Sequence, residues 1–221
     1  MCSGCSDSPD CCVAIGPIFH KYRLAHALSK ARAMKPISTL QYLSWSQFSK
    51  PSNDRIAFRA IKKNKYRSMV EIGLGNGIRC ERMIRVAQKY SDSATIRYTG
   101  IDQFEARESH ETQLKLIETH RQLNGLGAKA QLVPGDFASS VQRIANSHLR
   151  TDLVVIQCDA QGDAFGDEQF AHAWKFLPRM LHAASQVMLF FPNDEYEVFN
   201  FLDVEDQLRK LDPVSETKRA A

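Results

Sequence analysis

No run in the sequence approaches 18 consecutive apolar residues, the length a membrane-spanning helix requires. The first residues also lack the basic-then-apolar pattern of a secretory leader, so the expected setting is cytoplasmic, with no membrane partner. Internal repeats and low-complexity segments are missing too. Acidic residues are scarce where basic ones crowd: from His20 to Arg67 twelve Lys or Arg stand against one acid, Asp54. The whole chain carries only +4, so the remainder is net acidic. A basic third of this kind can attract nucleic acid through residues 20–67, although solvated helix faces explain it more simply. A second C-x2-C pair is absent as well. Four of the six cysteines, Cys2, Cys5, Cys11 and Cys12, fall in the first twelve residues, and the adjacent Cys11 and Cys12 cannot easily both turn toward one ion. Residues 1–17 therefore read as an oxidisable, disordered tail. Cys80 and Cys158 fall within expected regular structure and read as packed side chains.

At 221 residues and 43% hydrophobic content, the chain has enough material for one well-cored domain with a small appendage. Ile18, Tyr22, Ala25 and Leu28 predict a helix over 18–34, closed by Pro36. A Ser- and aromatic-containing linker, residues 37–52, leads to a second helix over 53–63. Residues 18–64 thus form a basic helical segment, and residues 65–221 a separate α/β domain. From Tyr66 strands (68–72, 95–102, 128–133, 152–159, 186–191) alternate with helices (through 90, 105–124, to 148, 167–184). This alternation predicts a Rossmann-like parallel sheet with helices on both faces.

Gly73, Gly75 and Gly77 follow the first strand, where such sheets bind ligands. Glycine admits a left-handed backbone and lets main chain approach a ligand. A dinucleotide fingerprint, G-x-G-x-x-G, needs its last glycine at position 78, which is Ile78; NAD is disfavoured. No Lys-Ser or Lys-Thr follows, which removes a phosphate-binding P-loop.

The stretch "VEIGLGNG", residues 70–77, resembles the first motif of class I S-adenosylmethionine-dependent methyltransferases. The resemblance spans roughly residues 55–200. It implies that Glu71 lies near the methionyl amino end of the cofactor, and that Gly73, Gly75 and Gly77 pass beneath its methionine and ribose. It implies that Asp102, ending "YTGID", accepts the ribose hydroxyls. In "PGDF", Asp136 would take the adenine amino group, with Phe137 beside the ring. The nucleic-acid amino-methylating signature Asn/Asp-Pro-Pro-Tyr is missing after the fourth strand, as is a Pro-Cys nucleophile. "DLVVIQCDAQ" is similar to small-molecule O-methyltransferases and makes Asp159 the candidate catalytic acid. In metal-using members that acid joins an Asp-Asn pair after the fifth strand. Here Asn193 and Asp194 stand in reversed order, which counts against a divalent metal. Residues 194–211 read as helix, so the two reversed strands that normally finish the fold are not expected, and the sheet edge reads as abbreviated. Another segment or a partner chain, as in a homodimer, would then cover it. The implied activity is methyl transfer to an oxygen of a small molecule, with residues 18–64 as lid or substrate wall. An RNA or protein methyltransferase, and a cofactor-binding protein without catalysis, are the alternatives.

Overall fold

A computed structural model describes residues 36–92, 95–107, 114–158 and 168–211. The cysteine-rich tail, the helix expected over 18–34 and Asp159 lie outside the described residues. Six strands form one sheet: β1 (Ser68–Ile72), β2 (Arg97–Asp102), β3 (Lys129–Pro134), β4 (Leu153–Gln157), β5 (Gln186–Phe190) and β6 (Tyr196–Asn200). Their order is β3-β2-β1-β4-β5-β6, parallel throughout except for β6 against β5. The apolar stretches Met69-Val70, Leu153–Ile156 and Val187–Phe190 are buried on both faces, as central parallel strands must be.

On one face lie α1 (Thr39–Phe48), α2 (Asp54–Asn64), α3 (Ile78–Tyr90) and α4 (Leu116–Gly125). Phe58 and Ile61 of α2 join Met83 and Ile84 of α3 over Met69 and Val155, all with almost no exposed surface. On the other face lie α5 (Phe137–Ile144), α6 (Glu168–Trp174), α7 (Leu177–Met180) and α8 (Phe201–Leu211). Here Val141, Trp174, Leu177 and Val204 pack on Val70, Val154 and Val187. Both faces are thus covered, and the expected fold class is the observed one.

Several elements differ from expectation, each for a local reason. Residues 37–52 contain a helix. Ser38 is its N-cap, accepting the Gln41 N–H at 3.0 Å, and Tyr42 and Ser46 are buried one turn apart. A serine-rich composition hid this short buried stripe. Of the helix expected over 105–124, the described residues form a 3-10 turn over Phe104–Ala106 and α4 from Leu116. The helix expected to reach His148 stops at Ile144. The single helix expected over 167–184 is two, α6 and α7, because Pro178 cannot donate to a continuous ladder.

The C-terminal edge holds one strand more than expected. Asp194 has φ +64°, and the Phe191 N–H donates to the Glu195 carbonyl at 3.0 Å, which reverses the chain into β6. The Tyr-Glu-Val alternation is a strand signal lying beside a helical one. Asn200 then caps α8, accepting from Leu202 and Asp203 while Asp203 accepts the Asn200 N–H at 2.8 Å.

Candidate functional site

The strand order reverses between β1 and β4, so the crevice at their carboxyl ends is the natural ligand position. The turn from β1 to α3 sits there. Gly73, Gly75 and Gly77 have φ of +79°, +60° and +78°, a region side chains rarely adopt. A Cβ on Gly73 would lie 2.8 Å from the Gln157 Cβ of β4, whereas one on Gly75 would meet nothing within 4 Å. Gly73 is therefore dictated by packing, and Gly75 presents bare main chain to open space.

Asp102 ends β2 and is almost wholly buried. Its carboxylate accepts the Leu74 N–H of the glycine turn at 2.7 Å and the Phe104 N–H at 3.0 Å. Arg107 grips it with Nε, at 2.8 Å, and with Nη2, while its Nη1 donates to the Gly75 carbonyl at 3.2 Å. The turn and the β2 acid are thus brought together and bridged by one guanidinium. Asp136 follows β3, whose end is tied to β2 by the Gly135 N–H to the Asp102 carbonyl at 2.9 Å. It is the N-cap of α5, accepting the Ser139 N–H at 2.9 Å and the Ser139 hydroxyl at 2.6 Å. These bonds hold its carboxyl below the usual carboxylate range. Phe137 is half-buried, its ring 4.8 Å from that of Phe170.

Glu71 has no exposed surface. Arg79 of α3 donates to it through Nε at 2.7 Å, and the buried Tyr98 hydroxyl donates at 2.6 Å. The same guanidinium reaches the Gln157 side chain and the Gly73 carbonyl, each at 2.8 Å, and lies 3.5 Å from Asp54 Oδ1. Glu71 therefore sits beneath the turn and acts on it through Arg79. Beside Arg79 at the start of α2, Asn53 Oδ1 and Asp54 Oδ1 are buried without a hydrogen-bond donor. Burial raises the Asp54 carboxyl to about 6, against the opposing pull of Arg79. Neighbouring Cys80 is fully buried and donates to the Gly77 carbonyl at 2.8 Å; burial pushes its thiol up. Cys158 is buried as well.

Asp54, Arg79, Tyr98, Arg107 and Gln157 were not found from sequence. One signal was available: an acid inside an apolar strand requires a buried cation, and Arg79, in the first turn of the next helix, is the nearest candidate. Asp194 accepts the Ser52 N–H at 2.9 Å and Asn193 accepts the Glu195 N–H. Among the described residues no group of three His, Cys, Asp or Glu could hold a metal. Nor is any described helix long and apolar enough to cross a membrane.

A raised carboxyl has a defined consequence for stability. Folded Asp54 keeps its proton up to about pH 6, whereas the unfolded group releases it near 3.8. The stabilisation from that proton is complete below the unfolded value and is lost as pH rises through 6. Asp54→Asn should leave stability unchanged near pH 4 and add about 2 to 3 kcal/mol at pH 8. Urea unfolding at the two pH values reads the difference.

No protein-family model matches the chain, and no curated protein matches it in sequence. Among solved structures it is similar to an O-methyltransferase from Bacillus cereus in complex with SAH. That pair shows 13% identity and a TM-score of 0.45 over 76% of this chain and 71% of that one. It is also similar to an SAH-bound methyltransferase from Podospora anserina, with 12% identity and a TM-score of 0.43 over 80% of this chain and 72% of that one.

Proposed function

We propose that the chain is an S-adenosylmethionine-dependent methyltransferase acting on an oxygen of a small molecule. The observation that carries this reading is the left-handed glycine turn, whose Leu74 N–H is tied to Asp102 at the switch point of the sheet. The residues present fit the cofactor. The donorless Asn53 Oδ1 and Asp54 Oδ1 suit the ammonium of a methionyl group, one guanidinium away from the Gly73 carbonyl. Glu71 supports that end from below by fixing Arg79. Gly75 leaves room for a ligand above the turn. Asp102 would accept the ribose hydroxyls on the face Arg107 now grips, so Arg107 must yield part of it. Asp136, held ionised by Ser139, would accept the adenine amino N–H, with Phe137 at the ring.

When bound, the cofactor supplies a methyl group already activated by its sulfonium. The chain's own contribution is positioning and exclusion of water. On the acceptor side the reading assigns Asp159, two residues beyond β4, on its place in the sequence alone. The basic segment contributes a wall through Asn53 and Asp54, and no metal enters the scheme.

Thermal unfolding with S-adenosylmethionine, S-adenosylhomocysteine and NAD tests the pocket. Either of the first two, at a hundred times its dissociation constant, should add about 2.7 kcal/mol. For this length that is a rise of roughly 5 to 11 °C. NAD should give none, and Asp102→Ala should lose most of the ligand-induced rise. Equal shifts with NAD, or a full shift in the variant, would overturn the reading.

A further inference from the structure

At the opposite end of the sheet, the strands begin beneath two adjoining cavities of about 740 and 570 Å³. Both are lined by Arg97, Lys129 and Leu149; the smaller adds Arg67, Arg150 and the Asp152–His182 pair. Arg97 and Lys129 are register partners on the neighbouring strands β2 and β3. Like charges directly opposite on a sheet repel, and neither residue has an acidic partner among the described residues. Arg67 and Arg150 have none either. Among the described residues the smaller cavity is lined by one acid, Asp152, and it is occupied: its carboxylate accepts the Arg67 and Ser68 N–H groups at 2.7 and 2.8 Å and pairs with His182 at 3.0 Å. His148, hydrogen-bonded to Thr99 at 2.8 Å, is held toward its neutral form by burial and by Arg97, so it adds no charge of its own. Four cations thus line one concave space against a single described acid, Asp152, whose oxygens are already taken up by main chain and His182. The larger cavity adds apolar walls from Leu116, Ile117 and Leu132.

We propose that this edge is a second binding site, for the phosphate groups of a nucleotide. Arg67, Arg97, Lys129 and Arg150 take the phosphates, and the adjoining apolar cavity takes the nucleoside. Guanidinium groups bind phosphate oxygens in pairs, and a ligand of two or more negative charges relieves the Arg97–Lys129 repulsion. The site lies at the amino ends of the strands, apart from the glycine turn, and does not depend on the reading of that turn.

The test is a titration of the full chain at 50 mM salt with ATP, with tripolyphosphate and with a ten-nucleotide RNA. Wild type and two variants, Arg97→Thr/Lys129→Thr and Arg150→Gly, are compared. Arg150 has φ +62°, so glycine there removes the charge while relaxing the backbone, and this variant should fold at least as well as wild type. Binding should weaken tenfold or more in each variant, and in wild type it should weaken between 50 and 200 mM salt. ATP and tripolyphosphate binding with weak RNA binding identifies a free nucleotide; tighter RNA binding identifies a strand as the source of the phosphates. The proposal is overturned if none of the three binds, or if Arg150→Gly and the double variant bind as well as wild type.

Discussion

Replacing Arg79 with methionine should destabilise the chain by about 3 to 5 kcal/mol, the cost of stranding a buried charge. Glu71 lies on the central strand with no exposed surface, and Arg79 is the cation that neutralises it at 2.7 Å. Methionine fills the same volume but leaves Glu71 and Asp54 facing each other with no positive charge between them. The melting temperature should fall by roughly 6 to 20 °C at this chain length. The double variant Arg79→Met/Glu71→Gln should recover most of the loss, because the glutamine carries no charge and still accepts from Tyr98. A single-variant cost below about 1 kcal/mol in urea unfolding would show that the pair does not hold the fold together and would overturn this expectation.

A second large effect separates two glycines of one turn. Gly73→Ala forces a side chain into φ +79° and sets its Cβ 2.8 Å from that of Gln157 on the neighbouring strand β4. Strain of about 1 to 2 kcal/mol adds to overpacking of about 1 to 3 kcal/mol. Gly75→Ala meets only the first of these costs, since its Cβ projects into open space. The expected pattern is a stability loss of about 2 to 5 kcal/mol for Gly73→Ala and about 1 to 2 kcal/mol for Gly75→Ala. On the proposed function, Gly75→Ala should also weaken S-adenosylhomocysteine binding, because that open space is the ligand's. Denaturant titration and calorimetry on both variants read the two effects. Equal stability losses would refute the packing argument.

The contrast between Gly73 and Gly75 shows what the sequence could and could not disclose. Alternation of strand and helix was legible because each parallel strand is a short apolar run between helical stripes, and the three glycines marked the turn after the first. The end of β2 and the cap of α5 were legible as acids at strand ends. The partners of those acids were not. Arg79 and Arg107 meet Glu71 and Asp102 because of how α3 and the turn after β2 return over the sheet, and a linear reading holds no such distances. The strand β6 is hidden in the sequence because its five residues are outweighed by the helix that follows. The helix α1 is hidden because its serines mimic a linker. In each case a short local signal was decided by tertiary packing.

The placement of β1 has a consequence for how the chain comes to be folded. Its two neighbours are β2, which follows closely, and β4, just before which Asp152 accepts the Arg67 N–H across 85 positions of sequence. During synthesis the glycine turn and its helix emerge long before the strand that completes their side of the crevice. The nascent chain must carry β1 with one edge unpaired until β4 arrives, a period in which chaperone contact or slow maturation is favoured. Truncations ending before Leu153 should therefore fail to mature, however intact their glycine motif, whereas those ending after Phe190 retain every parallel pairing of the sheet.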